Sequence, residues 1–397
     1  MLSQTGYGQT KLIDKAAILK KLAVINQHFA KAAKDKNPDL ILPYYSDETL
    51  FIPEFHPLII GKAAIKNYYQ QIFARQDVES NKRQTKDIIH FEDRVVEWGT
   101  FHSNFSAVQS GSKNGQSQSS ELIGKYMNVW RLSPNGELQL TSAQWNYDHD
   151  IDEGLNLIVE VDGKPLRYKT SAAKSIDRGL KYELDAYHAL GAKAVRERDA
   201  MGRLYSYSED GIFLAPHGET AKVGFESIKE YLIGYNSGEV QIDAIDVGFN
   251  HVENYGEYLI QNNYYYVEAS GEGWTYKGQG LGTSLFRRNK GGQLKRVWQI
   301  GTEYPVPEKP IASILDQFEK ASVESLLSKD ASKRTAFQAD EMYLMAEYQP
   351  VLKGSDAVEK YYQAFLRRYA VRSYTKQRVD LLDMDSWLIE TGTFDMT

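Results

Sequence analysis

The 397-residue chain has no cysteine, which excludes disulfides, thiol catalysis and cysteine-ligated zinc or iron–sulfur centres. No stretch reaches the roughly 20 uncharged apolar residues that a membrane-spanning helix needs. Basic blocks are also missing. With a net charge of −6 the chain has no footprint for phosphate backbones, which argues against nucleic acid as a partner. Met1 to Lys11 is polar and Gly/Gln-rich, without the apolar segment of a signal peptide. That suits a cytoplasmic protein, or a mature exported chain whose signal was removed. There is no Walker loop, no Gly-x-Ser-x-Gly elbow and no His-Glu-x-x-His, so neither cofactor nor metal is expected. Asp148 to Gly154 opens like a calcium loop, but its glycine falls one place late and Val159 holds the bidentate position. Gly278 to Gly282 imitates a dinucleotide fingerprint without the strand–turn–helix context it requires. With 42% apolar and 25% charged residues, what remains is a globular multidomain protein.

What is present is a repeat. Three segments are anchored on Gly61, Gly224 and Gly354, each preceded by an aspartate fourteen residues earlier: Asp47, Asp210 and Asp340. Ile65, Ile228 and Val358 follow each glycine by four residues, and Tyr68, Tyr231 and Tyr361 by seven. The first and third copies also share Glu-x-Gly-Thr-Phe, at Glu97 and Glu390, each 36 residues beyond its glycine. The aspartates read as turn residues bonding backbone N–H groups, and the tyrosines as core.

Each copy opens with an amphipathic helix; in the first, Ile18, Leu22, Ile25 and Phe29 share a face. Asn37-Pro38 starts a short second helix, and a third runs from Lys62 to about Gln76. Between these two helices lies a strand, Thr49 to Pro53. Thereafter the period shortens towards two, over Asp87–Phe91, Arg94–Ser106, Leu122–Leu132 and Leu138–Tyr147, with a turn at Ser133-Pro134-Asn135-Gly136. Ser110 to Ser120 reads as a solvated hairpin loop. Helices followed by antiparallel strands define an α+β plan in which a curved sheet wraps around three helices.

Helix–helix–strand–Gly–helix, followed by Gly-Lys-Tyr-Met-Asn-Val-Trp-Arg at Gly124 to Arg131 and Ala-Gln-Trp-Asn at Ala143 to Asn146, resembles the nuclear transport factor 2-like superfamily. The SnoaL-like branch is the nearest match, containing polyketide cyclases and relatives of ketosteroid isomerase. The resemblance implies tandem cone-shaped domains, each with a pocket between the sheet and helices for a small, mostly apolar molecule. It also implies sheet-to-sheet packing between domains or in a homo-oligomer. The expected divisions are 12–150 for the first domain, 151–173 for a hairpin linker, 174–305 for the second and 311–397 for the third. The third copy ends at Thr397 without its last two strands, so the natural chain is expected to continue, or another segment to complete the sheet.

Candidate site residues follow from position. Seven residues before each glycine stand Glu54, His217 and Glu347, titratable groups near the expected pocket mouth. The resemblance places the isomerases' catalytic aspartate two positions earlier, where this chain has Ile52, Ala215 and Met345. By analogy with scytalone dehydratase, Tyr45, His56 and His102 form a possible acid–base set, and Glu54, His56 and His102 are the catalytic candidates. Strand alternation puts Tyr126, Asn128 and Trp130 on one face, and Gln144 with Asn146 on another; Ser284, Trp298 and Gln299 are their second-domain counterparts. These polar groups among aromatics suit either a binding pocket or a packing face between domains. Two functions therefore remain open. One is a pocket protein, extending to cofactor-independent cyclase, isomerase or dehydratase chemistry. The other is a non-catalytic ligand-binding or assembly module.

Overall fold

The structure is a computed structural model that describes residues 14–108, 117–149, 151, 157–217, 220–306, 311–335, 342–383 and 388–397. Asp340, most of the calcium-loop look-alike and most of the Ser110–Ser120 loop lie outside these residues. The described residues fall into two compact units, divided after Val306.

The first unit begins with α1 (Lys15–Lys34), capped by the Asp14 carboxylate, which accepts from the Ala16 N–H at 3.2 Å. Its buried stripe is the one read from the sequence: Ile18, Leu22, Ile25 and Phe29. Asn37 caps a short 3-10 turn, and β1 (Tyr45–Ile52), β2 (Ile59–Ile60) and α2 (Lys62–Arg75) follow. Four long strands complete the layer: β3 (Gln76–Phe91), β4 (Arg94–Val108), β5 (Ser117–Leu132) and β6 (Leu138–Tyr147). The sheet order is β2-β1-β6-β5-β4-β3, with β1 parallel to β6 and the other pairings antiparallel. Register shifts at Val78/Ser80 and Thr85/Asp87 bulge β3, which bends the sheet around α1 and α2.

The same order recurs. The helices α3 (Ser171–Lys174), α4 (Arg178–Arg196), α5 (Ala200–Leu204) and α6 (Phe225–Tyr235) alternate with β7 (Tyr207–Leu214) and β8 (Lys222–Val223). Then come β9 (Gln241–Tyr255), β10 (Tyr258–Gly271), β11 (Trp274–Arg288) and β12 (Leu294–Tyr304), in the order β8-β7-β12-β11-β10-β9. The two sheets pack face to face through an apolar layer that includes Val96, Met127 and Val129 from one and Ile260, Leu285 and Ile300 from the other. Phe91 stacks on Tyr258 at 4.5 Å, and Arg94 pairs with Glu253 at 2.8 Å beside them.

The repeated glycine has a backbone reason. Gly61, Gly224 and Gly354 have φ of 92°, 82° and 88°, where a side chain is strained, and each opens its helix. Their N–H groups donate to the carbonyls of Thr49, Gly211 and Met342. That partner lies one residue further upstream in the second copy, so Asp210 occupies the register of Glu48, not of Asp47. Asp210 is held by both its oxygens to Arg287 at 3.0 Å, in addition to bonds from the Ser208 side chain and from its own backbone N–H.

Within the expected linker, Leu157 to Thr170 forms neither helix nor strand ladder; the Tyr168 N–H closes a turn on Pro165 O at 2.9 Å, and Gly163 makes a lone bridge to Ile59. The segment lies along α2 and the loop between β1 and β2: Gln71 and Arg75 donate to the carbonyls of Glu160 and Ile158, and Lys164 N–H donates to Leu58 O. Leu157 and Val159 insert into the first core, which anchors the segment by burial instead of by hairpin pairing.

In the second unit, α7 (Ile311–Ser328), α8 (Ser332–Thr335), β13 (Tyr343–Leu344), β14 (Leu352–Lys353) and α9 (Ser355–Arg368) precede the hairpin β15 (Tyr374–Asp383) and β16 (Leu388–Met396). Its buried apolar centre includes Leu326, Ala331 and Leu366. Among the described residues no helix is long and apolar enough to cross a membrane.

Candidate functional site

Alternation along β5 turns Tyr126, Asn128 and Trp130 into the first cone, and β4 sets Glu97 directly opposite Asn128. Glu97 is 1% exposed. Its Oε1 accepts from Thr85 Oγ1 at 2.6 Å and from the Tyr126 hydroxyl at 2.9 Å. Its Oε2 accepts from Asn128 Nδ2 at 3.1 Å and from Trp130 Nε1 at 2.8 Å. These donors occupy the lone-pair positions of a carboxylate, so Glu97 binds the floor of the cone together instead of serving as a free base. Asn26 of α1 adds bonds to Thr85 at 3.1 Å and Tyr126 at 3.4 Å. Burial, then the Glu97 charge, pushes the Tyr126 phenol up.

Arg83 of β3 joins this floor to a cavity of about 110 Å³. Its guanidinium carbon lies 4.2 Å from the centre of the Tyr126 ring and 4.7 Å from that of Phe29. Phe29, Tyr69, Phe73, Phe101, Trp145 and Tyr147 supply most of the apolar wall, with Asn81, Arg83 and Ser103 among its polar groups. Tyr45 stands behind this wall, its hydroxyl 2.9 Å from that of Tyr69. Burial raises both phenols, Tyr69 to about 12. Arg83 Nε and Asn81 Oδ1 are buried without a hydrogen-bond partner, and no carboxylate among the described residues lies within ion-pair distance of Arg83. Neither Glu97, Arg83 nor Asn81 was singled out as a site residue from the sequence. For Glu97 the signal existed, in the Glu-x-Gly-Thr-Phe shared with the third copy.

The three catalytic candidates are placed away from this cavity. Glu54, 3% exposed, turns to the seam between the two sheets, where its Oε1 accepts from the Glu303 N–H at 2.9 Å. His217 Nε2 lies 3.8 Å from Glu54 and 3.3 Å from Glu303 Oε2. Counted from their glycines Glu54 and His217 match, but by strand register His217 stands where Phe55 does, both at positive φ (55° and 65°), and face-to-face packing of the sheets brings the two loops together. Burial pushes the Glu54 carboxyl up to about 8. Burial also acts to raise Glu303, but hydrogen bonds from His217 and Tyr276 outweigh it and hold that carboxyl below its ordinary value.

His56, 1% exposed, accepts the Val159 N–H at Nε2 (2.9 Å), so its proton sits on Nδ1 and is donated to the Glu54 carbonyl at 2.7 Å. Burial lowers its pKa, and the ring is a neutral clamp for the linker. His102 is exposed on β4 and pairs with Glu121. The set Tyr45, His56 and His102 therefore does not assemble: Tyr45 is bonded to Tyr69, His56 to the linker, and His102 to a surface carboxylate.

The polar strand residues divide. Tyr126, Asn128 and Trp130 meet at Glu97 in the first cone. In the second, Tyr207 donates to Gln299, and Ser284 Oγ lies 3.5 Å from Asn263 Oδ1. Gln144 is instead between the sheets, donating to Leu281 O at 3.1 Å and accepting from Thr283 at 2.6 Å. Trp298 belongs to the same intersheet layer. Both face away from the cones because the pleat that sends Trp145 inward sends Gln144 outward.

No family profile and no curated protein matches the chain. Among solved structures, the chain is similar to a ketosteroid isomerase-like protein from Erwinia carotovora atroseptica, at 15% identity and a TM-score of 0.29, over 33% of this chain and 100% of that one. It is also similar to a nuclear transport factor 2-like superfamily protein from Salmonella enterica serovar Typhimurium, at 18% identity and a TM-score of 0.28, over 36% and 98%. A conserved protein from Planctomyces limnophilus matches at 19% identity and a TM-score of 0.27, over 32% and 93%. Each similarity spans about a third of this chain.

Proposed function

We propose that the first cone binds a small, largely apolar molecule and that it does so without acid–base turnover. The observation that carries this reading is the aromatic cavity of about 110 Å³ beside Glu97, which has no carboxylate or imidazole among its described lining residues. A dry cavity of about 150 Å³ holds the six carbons of benzene, so this smaller one suits a body of about four or five non-hydrogen atoms. The proton-carrying groups that would support an enzyme are engaged elsewhere: Glu97 by its donors, His56 by the linker and Glu54 at the seam.

The test is thermal unfolding of the whole chain with isobutanol, a small neutral branched alcohol, compared with the same titration of Ala33→Leu. Ala33 lines the cavity from α1, and leucine there fills it while remaining a good helix former. At ten times its dissociation constant the ligand should stabilise the wild type by about 1.4 kcal/mol and the filled variant by nothing measurable. Equal shifts in both would mean that the alcohol binds elsewhere and would overturn the reading.

A further inference from the structure

We infer that the ligand of the first cone is a small monocarboxylate with a compact apolar body, anchored by Arg83; this rests on the cavity reading above. Arg83 is a cation at an aromatic cavity with no anion to match it among the described residues. The nearby carboxylate of the floor, Glu97, already accepts from Thr85, Tyr126, Asn128 and Trp130 and makes no ion pair with Arg83. The guanidinium carbon stands over the rings of Phe29 and Tyr126, and the N–H donors lie in the guanidinium plane. One of those, Nε, is buried and unbonded, which is costly unless a ligand supplies the acceptor. A carboxylate matches that planar fork with two parallel bonds, a geometry that a hydroxyl or a carbonyl cannot complete.

Asn81 strengthens the assignment. It stands two residues from Arg83 on the same face of β3 and also lines the cavity, and its Oδ1 is likewise buried without a partner. Its amide is positioned for a second polar group on the ligand, next to the acid. Ser103, 6% exposed, borders the same wall. The rest of the lining is chiefly rings and aliphatic side chains, so one charged end and one apolar body describe the complementary molecule.

Isobutyrate, isobutyramide and isobutanol distinguish the possibilities, titrated calorimetrically into the wild type and Arg83→Met, which keeps an apolar stem. The wild type should bind isobutyrate at least tenfold more tightly than isobutyramide. Arg83→Met should lose that preference, and its retention would overturn the inference. Equal affinity of the wild type for isobutyrate and isobutyramide would overturn the inference and leave the cavity reading intact. Failure of all three to bind would overturn both. Should Arg83→Met not fold, the wild-type preference for isobutyrate over its neutral isostere decides alone.

Discussion

The two cones of the first unit share a strand order but not an interior. Glu97 and Gln261 are each the fourth residue of their strand, opposite Asn128 and Ser284 respectively. Asn26 and His188 each stand eight residues before the end of their helix and reach inward to the same floor. In the first cone the floor carries a charge and recruits four donors to it. In the second the floor is neutral, and the Gln261 amide donates to His188 Nε2 at 2.7 Å. Burial, then the Arg296 charge, lowers His188 to about 4. Each cone also holds an arginine among rings. Arg296 lies within 5.6 Å of Tyr187, Tyr207 and Phe286, whereas Arg83 borders the cavity. The lesson is that the fold dictates where a polar floor must be, and the residue chosen there sets how many partners must be supplied.

The largest effect that separates the cones should come from removing the floor groups. Glu97→Ala strands the hydroxyl, amide and indole donors of Thr85, Tyr126, Asn128 and Trp130, at about 4 to 6 kcal/mol in total. Gln261→Ala frees only His188 and should cost about 1 to 2 kcal/mol. Urea unfolding measures both, and equal losses would break the comparison.

The next effect is in pH. Glu54 titrates at about 8 when folded against an ordinary 4.5, so the folded state holds a proton that the unfolded state has lost between those values. Stability from this group is complete below pH 4.5 and falls as pH rises to 8, by an order-of-magnitude total of ~4 kcal/mol. Glu54→Gln should remove that decline and be the more stable protein at pH 8, as read by denaturation across the range. If the variant loses stability at pH 8, the seam needs the carboxylate and the assignment of its proton is wrong.

His188 acts in the opposite sense. Its folded value of about 4 lies below the ordinary 6.5, so it opposes folding as pH falls through that window, by about 2 to 3 kcal/mol. The Glu54 and His188 slopes oppose one another between pH 4.5 and 6.5. His188→Gln should therefore steepen the decline in that window, and an unchanged profile would contradict the buried neutral imidazole. The smallest effect belongs to His102→Ala. Its ion pair with Glu121 is exposed, and stability should stay within about 0.5 kcal/mol by the same denaturation measurement.

Much of the architecture was legible because local periodicity carries it. The stripe of α1, the span of β6 and the shared inner face of Tyr126, Asn128 and Trp130 all follow from spacing alone. The start of β3 did not: Gln76 to Lys86 is polar on both faces apart from Val78, and a bulged edge strand of that composition reads as loop. Alternation also tells which residues share a face without telling which face is covered by what. That is why Gln144 and Trp298, read as candidate pocket residues, lie between the sheets. The meeting of Glu54 with His217 depends on docking two sheets, information that no single repeat contains. Arg83 was hidden for a similar reason, since its rings come from α1 and β5, distant in sequence.

A crystal structure of the full chain soaked in saturating isobutyrate tests the central claim most directly. Its isopropyl group should lie in the first cone among the rings that include Phe73 and Phe101, with its carboxylate bonded to Arg83. An empty first cone at saturation, or a carboxylate turned away from Arg83, would contradict the account.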